Sequence, residues 1–132
     1  MFDLAHRIKF WSDCPQGRQH ACIIAREGKY IIGTGYNGMP QHKDCCENAM
    51  DCLNYSTEKM RDRCVAVHAE VNALQNTTFP EVSTFLVAYV TKKPCIICKD
   101  ALRQAGIAII YWQEWHKGFI VDEGHDVLIK NV

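Results

Sequence analysis

An excess of charge of either sign is the first thing this sequence lacks. Its 15 lysine and arginine residues are matched by 15 aspartate and glutamate residues, a formal net charge of +0. Proteins that hold a nucleic-acid backbone draw much of their affinity from neutralising phosphates and carry a basic surplus. The balance here, with no Lys/Arg block, speaks against a nucleic-acid partner and for a small-molecule substrate. No run approaches the roughly 20 apolar residues that a membrane-spanning helix needs, so no membrane partner is expected. No apolar stretch of signal-peptide length opens the chain, and Asp3 lies among its first residues; the expectation is a cytoplasmic protein. Internal repeats, low-complexity tracts and Pro/Gly/Ser linkers are absent as well. Residues 1–132 therefore read as one domain, 48% hydrophobic and large enough to bury a core without disulfides.

What the chain does have is eight cysteines. Cys45 and Cys46 are sequence neighbours, poor geometry for bonding each other. The expectation is reduced thiols, some binding metal and some simply buried. Cys22 sits in an apolar run and reads as core.

Periodicity places the elements coarsely. Residues 2–11 carry apolar side chains at helical spacing. Residues 21–25 and 30–33 are short apolar runs, with Glu27-Gly28-Lys29 as a hairpin turn between them. Residues 34–40, with Asn37-Gly38 and then Pro40, read as a loop. Residues 41–64 form a long polar, cysteine-rich connection. A helix is expected over 65–75, a strand over 84–90, a helix from Pro94 to Ala105 stopped by Gly106, a strand over 107–111 and a last short strand near 127–129. Strands alternating with helices in the second half imply crossovers and parallel pairing. The sheet should be mixed and covered on both faces.

Two motifs carry the chemistry, each at the expected start of a helix: His68-Ala69-Glu70 and Pro94-Cys95-Ile96-Ile97-Cys98. Two cysteines three apart on a first helical turn point the same way, so both sulfurs can reach one ion. Zinc takes thiolate and imidazole readily, and helix N-termini favour thiolate. With His68, Cys95 and Cys98 as ligands, one tetrahedral position stays open, the mark of a catalytic zinc. A water held there becomes a nucleophile near neutral pH. Glu70, two residues beyond the histidine, is then the carboxylate beside that water, placed to move protons.

These residues resemble the zinc-dependent cytidine and deoxycytidylate deaminases, whose signature is His-x-Glu followed by Pro-Cys-x-x-Cys. The segments Thr34-Gly35-Tyr36-Asn37-Gly38-Met39-Pro40, His68-Ala69-Glu70-Val71-Asn72-Ala73, Tyr89-Val90-Thr91 and Gly106-Ile107 are similar to the deoxycytidylate (dCMP) branch. The resemblance spans residues 12–111. It implies an α/β fold, a three-layer α/β/α cytidine-deaminase-like architecture on a mixed five-stranded sheet. It implies conversion of dCMP to dUMP with release of ammonia, feeding thymidylate synthesis, by attack of a Zn2+-activated water at C4. Glu70 would pass the water's proton to N3 and assist departure of ammonia. The backbone amide of Ala69 would bond O2 of the base and Asn37 the deoxyribose. Arg18, Thr91 and Trp115 are the remaining substrate-contact candidates, with Lys92 and Lys93 as further groups for the phosphate. Relatives of this kind are commonly homo-oligomers, often hexamers, and many are activated by dCTP with Mg2+ and inhibited by dTTP. Gly35, Tyr36 and Gly38 are the candidates for that control.

Some viral members carry a second, structural zinc, and by position Cys14 and Cys45 match two of its ligands, with Cys52 and Cys64 to complete four sulfurs. Free, partly buried thiols are the alternative. Alternatives for activity also stand: a deaminase of dCTP, of cytidine or of cytosine in nucleic acid, and, from a different class, a zinc scaffold without catalysis.

Overall fold

The computed structural model describes residues 1–12, 19–38, 68–80 and 84–129. Among these, helix α1 (Phe2–Ile8) runs into a 3-10 turn (Lys9–Trp11). There follow β1 (Ala21–Arg26), β2 (Tyr30–Tyr36), α2 (Ala69–Gln75), β3 (Leu86–Val90), α3 (Ile96–Gln104), β4 (Ile107–His116) and β5 (Phe119–Val127). The strands form one sheet in the order β2-β1-β3-β4-β5. Only β3 and β4 pair in parallel, joined by the crossover helix α3; the other pairings are antiparallel, so the sheet is mixed as expected.

Strand β1 explains the layering. Its side chains alternate between faces, and both faces are covered, which is why it reads as an unbroken apolar run. Ala21 and Ile23 pack with Ala5 and Ile8 of α1. Cys22 and Ile24 pack on the other side with Ala69 and Ala73 of α2 and Leu102 of α3. Leu86, Ala88 and Val90 of β3 join that second cluster, as do Ile107 and Ile110 of β4. The last two are an odd number of residues apart. A register shift between Leu86 and Val87 brings them to the same face. The outcome is the three-layer α/β/α arrangement.

Four boundaries differ from expectation. Trp11 shares the apolar spacing of the first helix yet stays exposed, because the tighter 3-10 turn breaks the helical phase after Ile8; Leu4 is exposed on α1 itself. Helix α2 begins at Ala69 rather than near residue 65, since His68 is in extended conformation (φ −66°, ψ 151°). Residues 34–36, expected as loop, continue β2, because Gly33 and Gly35 are buried strand positions and not turn residues. Finally, β5 covers Phe119–Val127 rather than 127–129, and β4 extends to His116 to meet it. The polar run through β5 misleads because the strand lies at the sheet edge, largely in solvent. Its signal was Lys117-Gly118, whose positive φ values (50° and 81°) form the tight hairpin turn.

His6 ties α1 to the sheet. Its ring stacks on Trp115 (centroids 3.8 Å apart, planes at 10°), and its Nε2 donates to the carbonyl of Gln113 at 2.9 Å. Its Nδ1 is buried with no hydrogen-bond partner among the described residues. A second proton would therefore sit on a buried N–H without an acceptor. Burial, then Lys9, lowers its pKa to about 4. A histidine depressed in the fold favours the folded state fully above its unfolded pKa near 6.5, and that contribution is lost as pH falls toward 4. We expect His6→Phe, which keeps the stack, to flatten the fall in Tm between pH 6.5 and 4.5. The effect should be on the order of 1–2 kcal/mol, below the full shift because half-buried Lys9 is partly screened. Thermal melts across that window test it; unchanged curvature would rule it out.

Candidate metal centre and active site

Two helix starts converge on one point. His68 is the N-cap of α2 and Cys95 the N-cap of α3, with Cys98 one turn further on. The Nδ1 of His68 lies 3.2 Å from the sulfur of Cys98 and 4.0 Å from that of Cys95. All three donor atoms fall within 4.8 Å of one another, and among the described residues no other such group of three gathers. Zinc at tetrahedral angles, with nitrogen near 2.0 Å and sulfur near 2.3 Å, sets such atoms roughly 3.5–3.8 Å apart. The donor set therefore fits zinc. The Cys98 backbone N–H points at the sulfur of Cys95 at 3.5 Å, one of the helix donors that favour thiolate.

Close backbone approach holds α2 in place. A Cβ on Gly35 would collide with the backbone of α2, falling 2.7 Å from the Asn72 carbonyl carbon, 2.8 Å from the Ala69 oxygen, and closer still to the Ala73 nitrogen. Asn72 and Asn76 then donate to the Tyr36 and Thr34 carbonyls at 2.8 and 3.1 Å. These two asparagines escaped the sequence reading; their four-residue spacing on one helix face was the available signal.

Glu70 sits just inside the centre, 6% exposed, close enough to Cys98 for the two groups to influence each other's ionisation. Burial pushes this carboxyl above the usual carboxylate range, against the pull of the Cys98 hydrogen bond, His68 and Lys92. Burial first, and then the Glu70 charge, pushes the Cys98 thiol up. A bound cation reverses that logic and draws the thiol to thiolate. Cys22 lies in the core near Glu70 and stays a thiol, as expected of a core residue.

The other candidates are distributed unevenly. Asn37 accepts the His20 N–H at 2.8 Å on its side-chain oxygen and returns its own N–H to the His20 carbonyl at 3.2 Å. Ala69 opens α2, where first-turn N–H groups have no carbonyl of their own helix to bond. Thr91 is buried, its hydroxyl accepting the Ala21 N–H at 3.0 Å. Trp115 lies against His6 and spends its indole N–H on Gln113 at 2.7 Å. Tyr36 is exposed, edge-on to Trp11, and Gly38 follows it in open space. Arg18, Cys14, Cys45, Cys52 and Cys64 lie outside the described residues. His20, passed over in the sequence, stands beside Asn37. Burial, then Lys92, Lys9, His68 and His6, lowers its pKa to about 4.

Residues 1–114 match the family described as "Cytidine and deoxycytidylate deaminase zinc-binding region". The deoxycytidylate deaminase of Mycobacterium phage D29 is 32% identical over 110 residues, 78% of this chain and 84% of the phage protein. That of Saccharomyces cerevisiae is 30% identical over 121 residues, 91% of this chain but 37% of the yeast protein. The human enzyme is 33% identical over 113 residues, 85% of this chain and 57% of its own length. The chain thus spans about half the length, or less, of these cellular relatives. A crystal structure of dCMP deaminase from the cyanophage S-TIM5 in complex with dCMP and dUMP superposes with a TM-score of 0.64 and 26% identity, covering 87% of this chain and 79% of that one. A cytidine deaminase from Burkholderia pseudomallei, at 10% identity and a TM-score of 0.58, shares the fold. The match over residues 1–114, with its His-Cys-Cys centre and adjoining buried glutamate, places this chain in the zinc-binding cytidine and deoxycytidylate deaminase family.

Proposed function

We propose that the chain, as a single domain, hydrolyses the 4-amino group of dCMP to give dUMP and ammonia. The observation that carries this reading is the buried Glu70 carboxyl two residues from His68, beside three donors that would leave a fourth zinc position open. A structural zinc has no use for a carboxylate there. The substrate choice rests on likeness to relatives named deoxycytidylate deaminase and to the cyanophage enzyme solved with dCMP and dUMP.

Zinc, when bound by His68, Cys95 and Cys98, supplies Lewis acidity that makes a water nucleophilic near neutral pH. Glu70 accepts the water's proton, delivers it to N3 of the ring and assists departure of ammonia at C4. Its raised affinity for protons suits it to carry one in both directions. The Ala69 N–H bonds the base carbonyl O2, and Asn37 orients the deoxyribose.

Ammonia release measured across cytosine, deoxycytidine, dCMP and dCTP tests the substrate. We expect dCMP to exceed deoxycytidine in kcat/KM; parity would remove the nucleotide reading. The regulated-oligomer reading, a hexamer with effectors bound near Gly35, Tyr36 and Gly38, adds a further expectation. In a symmetric oligomer, an activator that binds the active state better straightens a sigmoidal substrate curve. Sigmoidal dCMP kinetics should become hyperbolic with dCTP and Mg2+ and be suppressed by dTTP. Consumption of dCTP at a comparable rate would instead make the triphosphate a substrate.

A further inference from the structure

Strand β2 is an edge of the sheet, where the outward carbonyls of a strand have no neighbouring strand to bond them. Helix α2 and the chain just beyond it bond three of them at alternate positions. The Thr78 N–H donates to the Ile32 carbonyl at 3.4 Å, the Asn76 amide to that of Thr34 at 3.1 Å, and the Asn72 amide to that of Tyr36 at 2.8 Å. The bonds shorten toward the end of α2 that carries His68.

The shortest of them falls on the peptide group that leads into Asn37. The Tyr36 carbonyl and the Asn37 N–H belong to one planar unit. Asn72 bonds its oxygen from α2, and the His20 carbonyl bonds its N–H from the opposite side at 3.2 Å. The Asn37 side-chain oxygen accepts the His20 N–H at 2.8 Å, so backbone and side chain are fixed together. With both ends held, this plane cannot rotate without breaking a bond. The backbone of Asn72 reaches the other part of the site. Its N–H donates to the His68 carbonyl at 3.0 Å, closing the helical turn that contains Glu70. Asn76 makes the same kind of bond one turn on, but its target leads into Gly35 and its own N–H returns to Asn72.

We propose that Asn72 is a positioning residue for the reaction, setting the span between the sugar contact at Asn37 and the proton carrier Glu70. The inference rests on the deamination reading above. A nucleotide held by its deoxyribose at Asn37 must present N3 and C4 of its base to Glu70 at the other end. A misplacement of about 1 Å between such points costs up to roughly 10²-fold in rate. Asn72 touches neither the base nor the sugar in this arrangement; it acts through the Tyr36–Asn37 peptide and the first turn of α2.

The two asparagines supply the test and its control. Zinc-loaded full chain carrying Asn72→Ala, Asn72→Leu or Asn76→Ala is assayed on dCMP, titrated with dUMP, melted, and followed by hydrogen exchange at the Asn37 amide. Alanine and leucine suit a helix, and each replacement removes one solvent-exposed bond, so all three variants should fold and hold zinc. Both Asn72 variants should lower kcat on dCMP by about 10- to 100-fold. KM and dUMP affinity should change little, and the Asn37 amide should exchange faster. Asn76→Ala should lose a similar amount of Tm and keep its kcat and its Asn37 protection. Equal losses of kcat in Asn72→Ala and Asn76→Ala overturn the proposal, as does an Asn72→Ala enzyme with wild-type kcat or undiminished protection at Asn37. Wild-type protein that releases no ammonia from dCMP overturns the deamination reading instead, a failure that leaves the exchange difference at Asn37 in place.

Discussion

Glu70→Gln should retain zinc and lose turnover by about 10²- to 10⁴-fold. Glutamine keeps the shape of the side chain and can still meet the Cys98 sulfur, so His68, Cys95 and Cys98 remain in place. What it cannot do is accept a proton from water and hand it to the ring. Folding should not suffer. The carboxyl is buried and its charged form is penalised by desolvation, so a neutral amide at that point should hold Tm or raise it. Cys98→Ser makes the opposite split, losing the metal and activity together. Elemental analysis beside an ammonia assay separates the cases. Wild-type protein should carry one zinc at this centre, and a second if Cys14, Cys45, Cys52 and Cys64 hold another that Cys14→Ser removes. Full activity in Glu70→Gln would leave a zinc scaffold as the better description; zinc-free protein would remove the metal reading altogether.

Gly35→Ala should destabilise the protein by about 3 kcal/mol, the upper end of the range for an added methyl in a packed interior. The reason is what the methyl meets. Its neighbours are backbone atoms of Ala69, Asn72 and Ala73, not the yielding end of a long side chain. Helix α2 would have to lift off β2, stretching the bonds from Asn72 to Tyr36 and from Asn76 to Thr34. His68 and Glu70 ride on that helix while Cys95 and Cys98 ride on α3, so zinc affinity should fall with stability. Gly38→Ala is the control: its Cβ would find only a Tyr36 ring carbon at 3.9 Å. Thermal melts and zinc content of the two variants should differ sharply. Similar behaviour would mean that the contact of α2 with β2 does not hold the site together.

The sequence by itself determined the candidate metal centre, because its information is local. His68-Ala69-Glu70 and Cys95-x-x-Cys98 each lie on a single helix start, where residue spacing alone fixes which atoms share a direction. The apolar runs of β1 and β3 and the Glu27-Gly28-Lys29 turn were legible for the same reason. Family likeness then supplied the sheet and the layers, which α1 on one face and α2 with α3 on the other bear out. The tertiary structure decided what depends on partners distant in the chain. Gly35 looks like a loop residue in sequence, and only the approach of α2 makes it a strand position. The polar run through β5 looks like loop because an edge strand faces water. Ala21 meets Thr91, and His6 meets Trp115, only through strand register and the seating of α1 on the sheet. Their separations along the chain leave no periodic trace. Pairing free energy, not residue spacing, brings them together.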